Sequence, residues 1–355
     1  MLFGRSRNLV GLDVGDSSVK VVELKDLGRG RGFQVAKLGW EPLSSEAIVD
    51  GAIMDSQLVV ETIQRLFQRC KIRNLNVAIA LSGHSVIVKR ISLPVMSEAE
   101  LAESIHWEAE QYVPFDIGDV NLDYQILEGS SLSGEGNMDV LLAAAKKDKI
   151  NDYTSVISQA GLTPVTVDIA TFALQNVFEA NYEFEPHQVI ALVDVGAAVT
   201  SISVLHGGTS VYWRDINIGG NQYTDAIQKD LNLSFEQAEA MKRGGRVEGA
   251  ARENLPPILQ AVSENIALEI QKTFDFFKAT SSEDRIDRIF LAGGTSKVRG
   301  LQELLTDRFD AGVEIMNPFN NVTYNPRQFD PDYINEIGPQ AAIAVGLATR
   351  KVGDR

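Results

Sequence analysis

The sequence predicts an α/β protein of two facing domains, with a small α+β subdomain inserted into the first. Two observations predict the facing pair: a strand–turn–strand signal with Asp-Val-Gly at its turn occurs at Asp13-Val14-Gly15 and again at Asp194-Val195-Gly196. A third predicts the insertion, because a set of short strands and helices fills the stretch from about Gly83 to Pro164, between the two turns.

The chain's 355 residues suffice for two domains, each with its own core. A hydrophobic content of 44% and a charged content of 23% are those of a soluble globular protein. A net charge of −15 argues against a nucleic-acid partner, whose affinity comes largely from clustered Lys and Arg. It is no obstacle to a single nucleotide, which backbone amides and a metal can hold. The lone Cys70 excludes an internal disulfide framework and a multi-cysteine zinc site, and its helical stretch makes it a core or half-exposed thiol. No apolar run approaches the length of a membrane span. The basic opening Met1-Leu2-Phe3-Gly4-Arg5-Ser6-Arg7 leads into a segment broken by Gly11, Asp13 and Gly15, so it is no signal peptide, and the cytoplasm is expected.

Taken in order, residues 9–24 read as strand, tight turn and strand, with alternation through Val19, Val21 and Glu23. A helix near 56–70 follows, then strands over 77–81 and 86–93. Ser97 and Glu100 form a capping box that opens a helix ending before Pro114. Residues 119–127 and 140–145 predict two strands, joined by a Gly- and Ser-rich exposed loop over 128–137. A helix over 151–160 ends at Gly161. The second hairpin spans 189–205, and aligning Asp13 on Asp194 also aligns Val14 on Val195, Gly15 on Gly196 and Leu24 on Leu205. Helices follow to Leu231, from the Ser234 cap to Gly244-Gly245, and from Pro256-Pro257 along the face Ile258, Val262, Ile266, Ile270, Phe274 and Phe277. A strand over 286–292, a turn at Gly293-Gly294, a helix over 296–309 and a small-residue helix over 339–350 complete the chain. The domains are therefore expected at 1–82 with 165–187, the insertion at 83–164, and the second domain at 188–355 with a helical part near 221–284.

A phosphate needs donors converging on one point and a metal to neutralise its charge. Glycine permits close backbone approach, and small hydroxyl residues add donors without bulk. Gly15, Ser17 and Ser18 offer this at the first turn, with Lys20 one alternation on; Gly196, Ala197 and Ala198 offer it at the second. Asp13 and Asp194 suit hydrated magnesium, which takes a few carboxylates plus phosphate oxygens. Either Asp-x-Gly alone is explained as well by a hairpin turn. As a pair, each ending a buried strand, they point to a nucleotide. Both the Rossmann and P-loop motifs place a helix directly after the glycine turn, and here a strand follows. Gly293-Gly294-Thr295 leads a strand to a helix start, which fits a ribose or phosphate and equally a plain strand-to-helix turn. Glu239 and Lys242 share a helical face, where they either bracket adenosine or pair with each other. Gly219-Gly220 precedes that helical part.

This order of motifs resembles the actin, DnaK-type chaperone and sugar kinase superfamily, and the insertion resembles the extra subdomain of the cell-division protein FtsA. More narrowly, the chain resembles the PilM family of type IV pilus assembly proteins. The resemblance rests on Met1-Leu2-Phe3-Gly4, Val10-Gly11-Leu12-Asp13-Val14-Gly15, Tyr112-Val113-Pro114-Phe115, Asp194-Val195-Gly196 and Leu291-Ala292-Gly293-Gly294. It implies an actin-like fold with an FtsA-like insertion, bound ATP and Mg2+, and a place beside the inner membrane. The implied partner is the N-terminal cytoplasmic peptide of PilN, lying between the first domain and the insertion, with other pilus assembly components and self-association as further contacts. Gly219 and Gly220 would belong to the nucleotide site. The superfamily's water-orienting position falls at Asp168, shorter than the usual Glu or Gln, and Asp168 serves equally as a helix N-cap. Slow or absent turnover is expected. A sugar-type small-molecule kinase would need an acceptor pocket with a catalytic aspartate, to which no residue here points. An FtsA-like filament protein would need a membrane-tethering amphipathic helix, for which residues 349–355 are short and polar.

Overall fold

The computed structural model describes residues 8–354 except 29, 128–135, 282 and 284. The opening residues 1–7, including Met1-Leu2-Phe3-Gly4, and most of the expected loop at 128–137 therefore lie outside the described residues. In chain order the first domain begins with β1 (Val10–Val14), β2 (Ser18–Asp26), β3 (Phe33–Pro42), a short hairpin of β4 (Ile48–Val49) and β5 (Ala52–Ile53), α1 (Ser56–Cys70) and β6 (Asn76–Leu81). The insertion contributes β7 (Val86–Pro94), α2 (Glu98–Ala109), β8 (Val120–Leu127) and β9 (Asn137–Lys146). The chain returns through α3 (Lys147–Gln159), β10 (Thr163–Ile169) and α4 (Ala170–Asn181). The second domain follows with β11 (Val189–Val195), β12 (Thr200–His206), β13 (Thr209–Ile216), α5 (Gly220–Leu231), α6 (Phe235–Lys242), α7 (Leu255–Thr280), β14 (Arg288–Ala292), α8 (Leu301–Arg308), β15 (Gly312–Ile315) and α9 (Pro331–Ala348).

The two main sheets have one topology. The first orders its strands β10-β6-β1-β2-β3 and the second β15-β14-β11-β12-β13. In each, an antiparallel meander of three strands adds two parallel strands on the other side of the leading one. The parity of the leading strands explains what each buries. Val10, Leu12 and Val14 enter an outer core with α1 and α3, while Leu9 enters the core between the domains. Likewise Val189, Ala191, Val193 and Val195 face α5 and α7, and Ile190 and Leu192 face inward. Asp13 and Asp194 thus share the parity of the inward residues, and both point to the space between the sheets.

That space is packed by α4 and α9, whose Ala173, Leu174, Val177, Ala341, Ala344 and Val345 join residues of both sheets. The Ala- and Gly-rich composition of α9 is what lets it fit. A Cβ on Gly11 would strike the Ala344 carbonyl, and one on Gly346 would strike the Ala173 carbonyl, so backbone meets backbone there. The expected start of this helix at Pro339 needs correction, for it begins at Pro331 and carries Pro339 inside. Pro339 has no N–H to donate to the carbonyl of the preceding turn, and its own carbonyl accepts from the Gly293 amide at 2.8 Å, which ties α9 to the turn after β14. The expected helix over 296–309 is also broken: residues Gly294–Lys297 form a 3-10 turn, and Gly300, at φ 87°, starts α8.

In the insertion, β7-β9-β8 form an antiparallel sheet over which α2 lays Leu101, Ile105 and Ala109. The Ser97–Glu100 capping box is present. The α3 helix, placed in the insertion by the sequence reading, instead buries Tyr153, Val156 and Ile157 in the first domain's outer core. Its preceding strand β9 carries the chain across, and β10, expected to return at about 165, already pairs with β6 from Thr163.

Candidate functional site

The two Asp-Val-Gly turns have the same hydrogen-bond geometry. Val14 pairs with Val19 and Val195 with Thr200; inside the turns the Gly15 amide donates to the Ser18 carbonyl at 3.1 Å and the Gly196 amide to the Val199 carbonyl at 3.0 Å. Both turns open on a cleft of about 1150 Å³ between the domains, above the 300–1,000 Å³ range typical of small-molecule pockets. Asp13, Ser17, Ser18, Lys20, Asp194, Gly196, Ala197, Glu239, Lys242, Gly293, Gly294 and Thr295 all line it. Residues spread over most of the sequence are thereby brought into one space.

The remaining expected residues do not line the cleft. The Gly15 amide is spent inside its own turn. Gly219 and Gly220 lie behind the second turn, where the Gly220 and Asn221 amides donate to the Gly196 and Ala197 carbonyls at 2.9 and 2.8 Å. The Thr295 hydroxyl also donates to the Gly196 carbonyl, at 2.8 Å, so the turn is fastened from two sides. Asp168 needs correction in both of its expected roles. Its carboxylate, 4% exposed, accepts from the Arg350 Nε at 2.7 Å and from the Ile169 amide at 2.8 Å. The N-cap of α4 is Ile169, with no side-chain cap.

The electrostatics of the floor are set by two carboxylates and one ammonium. In register, Asp13 faces Lys20, and their side chains meet at 3.1 Å. Asp194 faces Ser201, which supplies no charge. Burial at the floor of the cleft, with Asp13 nearby and Asp215 beyond, pushes the Asp194 carboxyl up to about 7 against the pull of Lys20. A divalent cation between Asp13 and Asp194 would relieve that repulsion, so the donor set fits hydrated magnesium. On the second domain's wall, Glu239 accepts from Thr224 and Lys242, which makes the intrahelical pair real while both residues still face the cleft. Burial raises Glu239, but Lys242, Thr224 and Arg243 outweigh it and hold the carboxyl below its usual value.

Gly293 is the backbone point on which the site closes. It takes φ 83°, and a Cβ there would strike the Val195 carbonyl and crowd Asp194. The wall opposite comes from Trp40 on β3 and from Tyr333, Glu336 and Gln340 on α9, none of them foreseen. Tyr333, Glu336 and Gln340 have helical spacing. With the helix expected to begin at Pro339, that signal was out of reach. Asn221 and Lys297 also line the cleft, each one or two residues beyond a foreseen glycine or threonine. Among the described residues no group of three or more His, Cys, Asp or Glu could hold a metal by itself, so a cation here needs phosphate or water as further ligands.

Comparison with known proteins agrees with this architecture. The family model described as type IV pilus assembly protein PilM matches residues 11–352. The solved structure described as the PilM-PilN type IV pilus biogenesis complex is 31% identical, with a TM-score of 0.86 over 98% of this chain and 99% of the other. The cell division protein FtsA of Pseudomonas aeruginosa is 25% identical over an alignment of 372 positions that covers 93% of this chain and 88% of FtsA. MreB 5 of Spiroplasma citri, solved bound to AMPPNP, shares the actin-like fold at 15% identity and a TM-score of 0.51, over 96% of this chain and 95% of its own. With its family model spanning nearly all of the chain, this protein belongs to the PilM family of type IV pilus assembly proteins and has an actin-like fold.

Proposed function

We propose that this protein is a cytoplasmic, ATP-binding scaffold of the type IV pilus assembly complex, held at the inner membrane by the N-terminal peptide of a PilN-like partner. The observation that carries the reading is the full-length likeness to the PilM-PilN complex, together with paired aspartates on facing turns of one cleft. Asp13 and Asp194 would hold Mg2+, directly or through water, and Lys20 would balance the phosphates. The Ser17 and Ser18 hydroxyls and the second turn's amides would donate to phosphate oxygens, while Glu239, Lys242 and the Gly293-Gly294-Thr295 turn flank the adenosine end. Bound Mg-ATP supplies charge that bridges the two domains, and its role is structural or regulatory. Turnover is slow or absent, because Asp168 is committed to Arg350 and no other carboxylate stands in its place at the start of α4.

The test is calorimetry of Mg-ATP binding to the parent chain, Asp13→Ala and Asp194→Ala. The variants should fold and lose magnesium-dependent binding; unchanged affinity in both would overturn the site. Partner binding is tested by titrating a PilN-like N-terminal peptide onto the protein. The insertion has neither lysine nor arginine between Ile91 and Ala145, so a cationic peptide should bind more weakly as salt rises. Among the described residues no helix is long and apolar enough to cross a membrane, which is why the reading assigns membrane attachment to the partner.

A further inference from the structure

The motif residues of the cleft supply charges, amides and small hydroxyls, and none of them supplies an aromatic face. Two other lining residues do, Trp40 and Tyr333. In register across β1, β2 and β3, Asp13 faces Lys20 and Lys20 faces Trp40. The matching row across β11, β12 and β13 is Asp194, Ser201 and Asp215, so the second domain has no aromatic at that place. The strand that carries Trp40 is fastened to the end of α1. The Trp40 carbonyl accepts from Arg69, which also pairs with Glu41 at 2.5 Å, and the Leu38 carbonyl accepts from the Cys70 thiol at 3.7 Å. Tyr333 approaches the same end of α1 from α9, for Cys70 and Arg69 both act on its hydroxyl. Both rings pack against the core between the domains and both line the cleft, so packing holds each ring while part of it stays open.

The spacing along α9 places Tyr333 relative to the glycine turn. Gln340 stands beside Gly294, on which a Cβ would come within 3.5 Å of the Gln340 Oε1. One turn back, the Glu336 carbonyl accepts from the Lys297 Nζ at 2.7 Å. Tyr333 follows another turn out on the same face of the helix. A nucleoside lying on Gly293-Gly294-Thr295 therefore has Tyr333 beside its outer end, while Trp40 flanks Lys20 at the phosphate end. We propose that Trp40 and Tyr333 form an aromatic wall against which the first domain holds the base of the nucleotide. The buried aliphatic side chains of Met241, Leu255 and Leu259 line the second domain's side of the same space. The inference rests on the nucleotide reading of the cleft. Stacking uses the π-face of a base and not its edge, so the wall favours a planar base without choosing which one. It also gives the first domain a grip on the nucleoside, which a turn built for phosphate and metal does not provide.

The test is calorimetry on the full chain with two magnesium-loaded probes, ATP and ribose 5-triphosphate, which keeps the sugar and phosphates and lacks the base. The parent should bind ATP more tightly. Tyr333→Leu and Trp40→Leu should each weaken ATP by about fivefold or more and leave ribose 5-triphosphate within about twofold of the parent. Tyr333→Phe and Trp40→Phe keep a ring and should keep the parent's affinity for ATP. Binding of the base-free probe also shows that each variant's site has folded. Equal losses for the two probes overturn the wall, because the aromatics then serve the fold or the phosphates. So does an ATP affinity unchanged in both Leu variants, or a parent that binds the two probes alike. A parent that binds neither probe fails the nucleotide reading first and the wall with it.

Discussion

The two cleft turns share their register and differ in what faces each aspartate. Opposite Asp13 stands Lys20, at 3.1 Å; opposite Asp194 stands the neutral Ser201. A duplicated hairpin has thus produced two carboxylates and one cation. The first is balanced within its own hairpin, and the second is left to the ligand. A site built this way has a floor with one pre-formed ion pair and one carboxylate whose charge is disfavoured until a cation arrives. The second turn also carries more support from behind, through Gly220, Asn221 and Thr295.

The largest test of that difference is at the glycines. Gly293→Ala should cost about 3 kcal/mol by chemical denaturation, because a positive φ and a backbone clash act together under the second turn. Gly15→Ala in the first turn meets the flexible end of Lys20 at 3.2 Å and the Ser18 carbonyl at an ordinary contact distance of 3.6 Å, and should cost well under about 1 kcal/mol. Equal costs would show that the two turns are supported alike.

Next come the aspartates themselves, where the expected signs differ. Without nucleotide, Asp13→Asn strands the half-buried Lys20 and should destabilise by about 1–2 kcal/mol. Asp194→Asn removes a buried carboxylate crowded by Asp13 and Asp215, and should leave the protein as stable or raise its Tm. If the cleft holds Mg-ATP as proposed, both variants should lose the stabilisation it would give the parent, which at a hundredfold excess over Kd is about 2.7 kcal/mol. Chelating the metal in the parent should give the same loss. Destabilisation by both substitutions in the nucleotide-free protein would remove the asymmetry.

A smaller effect is expected on the second domain's wall. Lys242→Met breaks a pair that also holds the Gly220 carbonyl and Thr224, and should cost about 1 kcal/mol while weakening nucleotide binding. A loss of binding with unchanged stability would assign Lys242 to the ligand rather than to the wall.

What the sequence made legible follows from range. The hairpins were readable because each is a local alternation ended by Asp-Val-Gly, and their equivalence could be checked by alignment. The capping boxes at Ser97 and Ser234 are also local, and both are present. By contrast β3 buries Val35, Leu38 and Gly39 without simple alternation, so neither the strand nor Trp40 could be anticipated. Pro339 suits a helix start, where its missing N–H costs nothing; that α9 runs on through it depends on the packing of its Ala- and Gly-rich face between the domains, which no local signal carries. The superfamily's motif order points to Asp168 as the water-orienting position, but Arg350, 182 residues away, holds its carboxylate. The half of the cleft that carries the two turns is thus legible in short motifs, and the half contributed by α9 depends on contacts no motif encodes.

The far ends of the two hairpins offer the finest comparison. Asp26 at the end of β2 pairs with Lys351 at 2.8 Å, and His206 at the end of β12 pairs with Glu283 at 3.4 Å. Hydrogen bonds from Lys351 and then from the Gly28 amide hold the Asp26 carboxyl below its usual value. A depressed carboxylate stabilises the fold above its ordinary pKa and loses that contribution as pH falls through the lowered one. Both partners are exposed, so Asp26→Asn should cost only about 0.5 kcal/mol at neutral pH, less in high salt, and nothing in acid where the parent has lost the pair too. Denaturation curves of parent and variant should therefore converge on acidification. Curves that stay parallel would mean that the Asn8–Lys351 bridge, rather than the ion pair, fastens the chain's end beside the first hairpin.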